Sequence, residues 1–265
     1  MLSQSTDAPL KGEGELVRVS PSRVESFDTC ALRWLLEGAG GTTGPGGAQG
    51  LGMLVHDAAT LAVDENVTSE QLDARIDAGW DSIDVGGPWV AEKQRERARK
   101  MVRKLIAWIR ANQRELVALE EGFEIQIGGV ALHGRIDRLE RDSDGRLVIV
   151  DLKTGSSAPS KQMAAVNPQL GVYQLAITEG AYPSHGHRPG GAVLVHLGTS
   201  AKSFVERTQP PLPDTDNPEW ARELLDRVAE GMAGSVFTAS VNDYCSMCPV
   251  RTSCPADPHG GQVTD

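Results

Sequence analysis

The sequence predicts a mixed α/β (α+β) fold, a central β-sheet flanked by helices within one large domain. Three observations carry this expectation. Short apolar runs broken by glycine turns read as consecutive hairpins between Gly122 and Gly155, and a strongly amphipathic helix precedes them. The 4 cysteines stand near the two ends, Cys30 alone and Cys245, Cys248 and Cys254 together, as expected if a metal centre ties the ends of the fold. A chain of 265 residues has ample length to bury a core.

Composition narrows the function classes. The 36 acidic and 26 basic residues give a formal charge of −10, unfavourable for strong unaided binding to a phosphate backbone, so any nucleic-acid contact must be local. No apolar run approaches the length of a membrane span, and MLSQSTDAPLKGEGE lacks the apolar core of an export signal. A cytoplasmic protein with no membrane partner is expected.

Residues 1–18 read as a flexible lead-in or linker, 19–258 as the domain and 259–265 as a flexible tail. In SPSRVESFDTCALRWLLEG, Ser20 or Ser22 can cap one helix, Ser22 and Glu25 have capping-box spacing, and Val24, Phe27, Ala31, Trp34 and Leu35 mark its apolar face beside Cys30. The glycine-rich stretch from Gly38 to Gly52 lacks the Gly-Lys-Ser/Thr ending of a phosphate loop and is read as a connection. A helix from about Gln49 to Val63 carries His56, and another runs from Ser69 to about Ile83 behind Thr68, with Gln71 at capping-box spacing. The best helical period extends from Pro88 to about Leu119. Its other face holds Arg95, Arg99, Arg103, Arg110 and Arg114, and nine cations against three carboxylates between Glu92 and Glu115 give a local balance of 9 − 3 = +6.

The hairpins follow. GFEIQI and VALHGRID are joined by Gly128-Gly129, and RLVIVDLKTG returns after a turn at Asp144-Gly145. Folding that second turn back sets Asp137 opposite Asp151 to within about a residue, and strand alternation puts Asp151 and Lys153 on one face. Two carboxylates this close on a buried strand need a divalent cation or a shared proton, and a lysine beside them can orient a water or stabilise an oxyanion. A short helical segment within Pro159 to Ala165 precedes a helix opened by Asn167-Pro168, on which Gln169 and Tyr173 lie four apart and share a face. GGAVLVHLG and KSFVERTQ read as antiparallel strands, and Asn217-Pro218 opens a helix to about Met232. The spacing of the cysteines accommodates zinc and an iron–sulfur cluster equally.

The motifs GRID ending at Asp137, VDLKTG, Gln169 with Tyr173 in PQLGVYQ, and GLGMLVHDAA around His56, in this order, resemble the RecB-like branch of the PD-(D/E)XK nuclease superfamily. Ile136 stands where the superfamily's name has proline. The cysteine pattern resembles the iron–sulfur-stapled nucleases of AddB and AdnB type. The resemblance implies a restriction-endonuclease-like core with its N- and C-terminal ends tied by a four-cysteine cluster. It implies that His56, Asp137, Asp151 and the Leu152 carbonyl bind Mg2+ or Mn2+, that Asp137, Asp151 and Lys153 are catalytic, and that Gln169 and Tyr173 contact DNA. Cys30, Cys245, Cys248 and Cys254 would hold a [4Fe-4S] cluster, with iron favoured over zinc by the resemblance alone. Arg99, Arg103 and Arg110 are further candidates for DNA contact. The implied activity is DNA cleavage in double-strand break resection and recombinational repair. The domain would serve as the nuclease module of a helicase-nuclease, with a helicase motor in the same polypeptide or complex and a partner subunit. A stand-alone RecB-family exonuclease is the alternative, and a non-catalytic iron–sulfur DNA-binding scaffold is the rival of another class.

Overall fold

The computed structural model describes residues 3–6, 8–12, 14–40, 47–84, 86–258 and 260, and it has the expected mixed architecture. In chain order, β1 (Ser3–Ser5) and β2 (Val17–Val19) precede α1 (Pro21–Thr29), α2 (Ala31–Gly38), α3 (Gly47–Ala59), α4 (Ser69–Gly79) and α5 (Pro88–Ala111). The hairpin strands β3 (Glu115–Ile127), β4 (Val130–Arg141) and β5 (Leu147–Lys153) follow, then α6 (Lys161–Ala165) and α7 (Pro168–Thr178). The chain continues with β6 (Pro189–His196), β7 (Val205–Gln209), α8 (Trp220–Ala233) and β8 (Val236–Thr238).

Several expected boundaries move, each for a local reason. The helix read from Ser20 through Trp34 is two helices, divided at Cys30, whose backbone is extended at φ −165° and ψ 105°. The Ser22–Glu25 capping box does not form; Ser20 stands at the N-cap without a side-chain cap bond, and Glu25 accepts a 2.6 Å hydrogen bond from the Asn167 amide. The Thr68–Gln71 capping box does form, although α4 stops at Gly79 and a short 3-10 turn takes over at Trp80–Ser82. α3 begins at Gly47 and ends at Ala59, short of Val63, while positions 41–46 of the glycine-rich connection lie outside the described residues. Of the expected flexible tail, residues 259 and 261–265 also lie outside them.

The largest correction concerns the long amphipathic helix, which stops at Ala111 and not near Leu119. Helical periodicity continues in the sequence, but a buried carboxylate captures the next residues. Glu140 on β4 is fully buried and accepts from Asn112 Nδ2 at 2.6 Å and from Arg114 Nε at 2.7 Å, with Arg138 Nε as its third donor. Satisfying that buried charge pulls Arg114 off the helix, and Glu115 onward pairs with β4 as β3.

β4 organises the main sheet. It pairs antiparallel with β3 along one edge, while on the other it pairs antiparallel with β5 and parallel with β2; β6 then runs parallel to β5, and β7 antiparallel to β6. The glycines of both hairpin turns adopt the positive φ the turns require, Gly128 at 55° and Gly145 at 74°. One sheet face packs Ile136, Leu139, Ile149 and Leu194 under α1, α7 and α8 through Val24, Leu170 and Leu225. Its other face packs Val150, Leu152 and Val195 under α3, α4 and α5 through Val55, Leu72 and Trp108. The lead-in read as flexible is not devoid of structure: Ser3–Ser5 forms a small antiparallel pair with β8, and Val17 and Arg18 belong to β2 of the main sheet. Phe27 meets Trp34 and Phe237 edge to face, while Trp34 and Phe237 stack. No helix among the described residues is long and apolar enough to cross a membrane.

Candidate active site and cysteine cavity

The second hairpin delivers the expected carboxylate pair. Pairing of Arg138 with Val150 at the end of the β4–β5 ladder sets Asp137 opposite Asp151 by simple continuation of the register. Asp137 is fixed by the neighbouring strand, its Oδ2 accepting from the Leu152 N–H at 2.7 Å. Its other oxygen, Oδ1, lies 3.3 Å from His56 Nδ1 on α3. The third group at this point was not foreseen. Glu120, on β3 opposite Asp137, brings a carboxylate oxygen within 4.8 Å of ligand atoms of both His56 and Asp137.

Glu120 reaches this position from an irregular backbone. Its φ of 50° makes it the non-glycine residue with positive φ among those described, a conformation that disfavours side chains with a Cβ. Arg135 pairs with it at 3.0 Å. The acid is visible in the sequence, but two consecutive glutamates in a strand do not reveal which one a local distortion aims inward.

Asp151 and Lys153 form a second, deeper group on the side of α7. Lys153 Nζ lies 2.8 Å from Asp151 Oδ2, and Gln169 bridges the two, its Oε1 accepting from Lys153 at 2.8 Å and its Nε2 donating to Asp151 Oδ1 at 3.2 Å. Burial raises the Asp151 carboxyl to about 6; Lys153 opposes the rise, and the Asp137 charge adds to it. Burial would depress the Lys153 ammonium, but Asp151 outweighs it and holds the lysine above its ordinary range. His56 is likewise pulled down by burial and pushed further up by Asp137, Asp151 and Glu120. The rises of His56 and Lys153 come from the carboxylates around them, and that of Asp151 comes first from burial.

The donor set fits a hard divalent cation. An imidazole and two carboxylates converge, and the Asp151 carboxylate, ion-paired with Lys153, stands behind them in the same negative field. His56, Glu120 and Asp137 line a cavity of about 810 Å³ that also reaches Arg135, Thr154 and Tyr173. The carboxylate that joins His56 and Asp137 within 4.8 Å is therefore Glu120, while the expected ligand Asp151 sits one step deeper. Leu152 participates through its N–H to Asp137.

The residues expected to touch DNA take internal partners. Gln169 is 6% exposed and occupied by Asp151 and Lys153; Tyr173, 7% exposed, donates to the Arg135 carbonyl at 2.8 Å, and burial raises its phenol. On α5, Arg99 reaches Asp77 of α4 at 4.0 Å, as Arg95 does at 3.1 Å, Arg103 lies near Asp73, and Arg110 is exposed. Arg97, also on α5, donates to the Thr154 carbonyl just beyond β5 at 3.0 Å.

The cysteines converge as expected from both ends. Cys30, Cys245, Cys248 and Cys254 are free thiols lining one cavity of about 210 Å³, together with Arg33 and Arg251. Backbone amides of Ser240 and Asn242 donate to the sulfurs of Cys30 and Cys245 at 3.5 and 3.3 Å. Burial raises the Cys248 thiol while Arg33 opposes the rise, and Arg33 Nε is buried without a hydrogen-bond partner. Four cysteines around one cavity, beside an arginine that also pairs with Glu37 at 3.7 Å, suit a metal centre. Among the described residues, the group of three or more ligand atoms that all lie within 4.8 Å of one another is that of His56, Glu120 and Asp137.

Comparison with known proteins places these features in one family. The model of the PD-(D/E)XK nuclease superfamily matches residues 18–255. Among solved structures, SSO0001 is 16% identical with a TM-score of 0.43, over 94% of this chain and 89% of that one. A provisionally named exonuclease from Eubacterium rectale is 15% identical with a TM-score of 0.49, over 88% of each chain. No curated protein matches the sequence.

Proposed function

From the premise that this chain belongs to the PD-(D/E)XK nuclease superfamily, we propose that it is a DNA nuclease that hydrolyses phosphodiesters with Mg2+ or Mn2+. The observation that carries the proposal is the convergence of His56, Glu120 and Asp137 in front of the bridged Asp151–Lys153 pair. Those first three side chains, with the Asp151 carboxylate behind them, would hold the cation. When bound, it supplies a polarised water and offsets the charge gathering on the phosphate. Asp137 keeps His56 oriented, and the Leu152 N–H keeps Asp137 in place. Lys153 holds its proton through Asp151, so its ammonium can steady the extra negative charge on a phosphoryl oxygen. Gln169 fixes the direction of that ammonium, and Tyr173 anchors β4 to α7. Both are positioning residues in this reading.

The test is Asp151→Ala, assayed with Mn2+ on end-labelled DNA. The substitution is expected to lower cleavage by at least about 10²-fold, the scale of losing a group that acts on transition-state charge. Cleavage at the unaltered rate overturns the assignment.

The cysteine cavity supports a second element of the proposal, a [4Fe-4S] cluster on Cys30, Cys245, Cys248 and Cys254. The resemblance to iron–sulfur-stapled nucleases, and not the cysteine spacing, favours iron over zinc here. The resemblance to AddB and AdnB proteins supports a place within a helicase-nuclease that resects double-strand breaks, beside a helicase motor and a partner subunit. The formal charge of −10 agrees with a module whose DNA is delivered to it by a motor.

A further inference from the structure

We propose that a second, basic groove between α5 and the β6–β7 loop binds the sugar–phosphate backbone of the nucleic-acid strand that enters the catalytic cavity. The inference rests on the nuclease reading and extends it to the path of the strand. The groove measures about 580 Å³, and Arg97, Lys100, Arg103, Lys104 and Lys202 line it with no carboxylate among its walls. In a chain of net charge −10, five cations around one groove require a reason. Two have partial compensation nearby: Lys100 pairs with Glu96 at 2.7 Å, and Arg103 lies near Asp73.

The remaining cations are held by neutral groups or by none. Lys104 is 8% exposed, and its ammonium donates to the Thr199 carbonyl at 2.7 Å, so burial depresses it without an acid to compensate. Arg97 donates to the Thr154 carbonyl at 3.0 Å and has further N–H groups to offer. Thr199 Oγ1 is buried in the same wall with no hydrogen-bond partner. An unsatisfied hydroxyl among uncompensated cations is what a phosphate oxygen would complete. No aromatic ring lines the groove, so contact falls on the backbone and not on the bases.

The groove is coupled rigidly to the catalytic strand. The Leu197 and Gly198 amides both donate to the Lys153 carbonyl, at 2.8 and 3.4 Å. Gly198 lies so close to that strand that a Cβ would come within 1.9 Å of the Thr154 carbonyl oxygen. Thr154 also lines the catalytic cavity, so a strand held at Arg97 and Lys202 is registered against Lys153 through backbone alone.

The experiment uses the full chain carrying Lys100→Gln and Lys202→Gln, two exposed residues outside the catalytic machinery. Fluorescence anisotropy follows labelled oligothymidylates of six and twenty nucleotides across a NaCl series in EDTA. The double variant is expected to bind the longer strand about tenfold more weakly at low salt, and the slope of log affinity on log salt to flatten by about 1.4, at about 0.7 per lost phosphate contact on a single strand. Binding of the six-nucleotide strand is expected to be unchanged. Arg18→Gln, which removes an exposed arginine away from the groove, is the control. An unchanged slope, an equal effect of Arg18→Gln, or no binding of the longer strand by the unaltered protein each overturns the inference. Because no metal or cleavage enters the measurement, its failure is distinct from failure of the nuclease reading, which Mn2+-dependent cleavage of the six-nucleotide strand tests separately.

Discussion

Gln169 turns one amide in two directions, donating to Asp151 and accepting from Lys153, and that division of labour fixes the Asp151–Lys153 pair. Gln169→Ala is expected to lower kcat by roughly 10- to 100-fold, the cost of a misplaced catalytic group, while KM for DNA stays near its original value. A rise in KM at constant kcat would instead make Gln169 a DNA contact. A second residue reads out in stability. His196 is 4% exposed with both ring nitrogens unpartnered, and burial, with Lys153 and Arg207, pushes it down to about 4. Above its ordinary value near 6.5 the ring is neutral in folded and unfolded chains alike. As pH falls from there towards 4, the unfolded chain takes up the proton first and stability is lost, up to about 3 kcal/mol in all. His196→Leu is expected to flatten that part of the stability-against-pH curve in urea titrations, and an unaltered curve refutes the assignment. At this scale Asp137, Asp151 and Lys153 were legible because a glycine turn fixes strand register arithmetically. Glu120 was not, since its inward aim depends on a distorted backbone that only packing sustains.

Elements were legible wherever their ends are written locally. Thr68 and Gln71 specify the start of α4 by reciprocal side-chain bonds to the backbone, and the structure shows both. Thr68→Ala is expected to cost about 1 kcal/mol, read as a lower urea midpoint with unchanged slope; a change below a few tenths would show that tertiary contacts alone define that end. The end of α5 was hidden, because its signal is Glu140, 28 positions beyond Asn112 in sequence. The two-helix form of α1 and α2 was hidden for a related reason: the break at Cys30 serves the packing of Phe27 and Trp34 against Phe237 from the far end of the chain.

Over the whole molecule, the glycine turns placed the β3–β4 and β4–β5 hairpins and the cysteines brought the ends together, whereas β2 and the parallel β5–β6 pairing, which depend on contacts distant in sequence, were not read. The small β1–β8 pair was not legible, since SQS carries no apolar alternation. If the cysteine cavity holds an iron–sulfur cluster, Cys248→Ser is expected to reduce iron and sulfide recovered from anaerobic protein and to lower Tm. Full iron content in that variant, or zinc in its place, refutes the cluster. The closure has a mechanical corollary. Tension on the N-terminal side meets the short β1–β8 ladder, whose antiparallel register sets Ser3 beside Thr238, so the ladder unzips pair by pair. On the C-terminal side tension meets Cys254, Cys248 and Cys245 before β8, and a metal bound between them and Cys30 would act as a clasp that spares the main sheet.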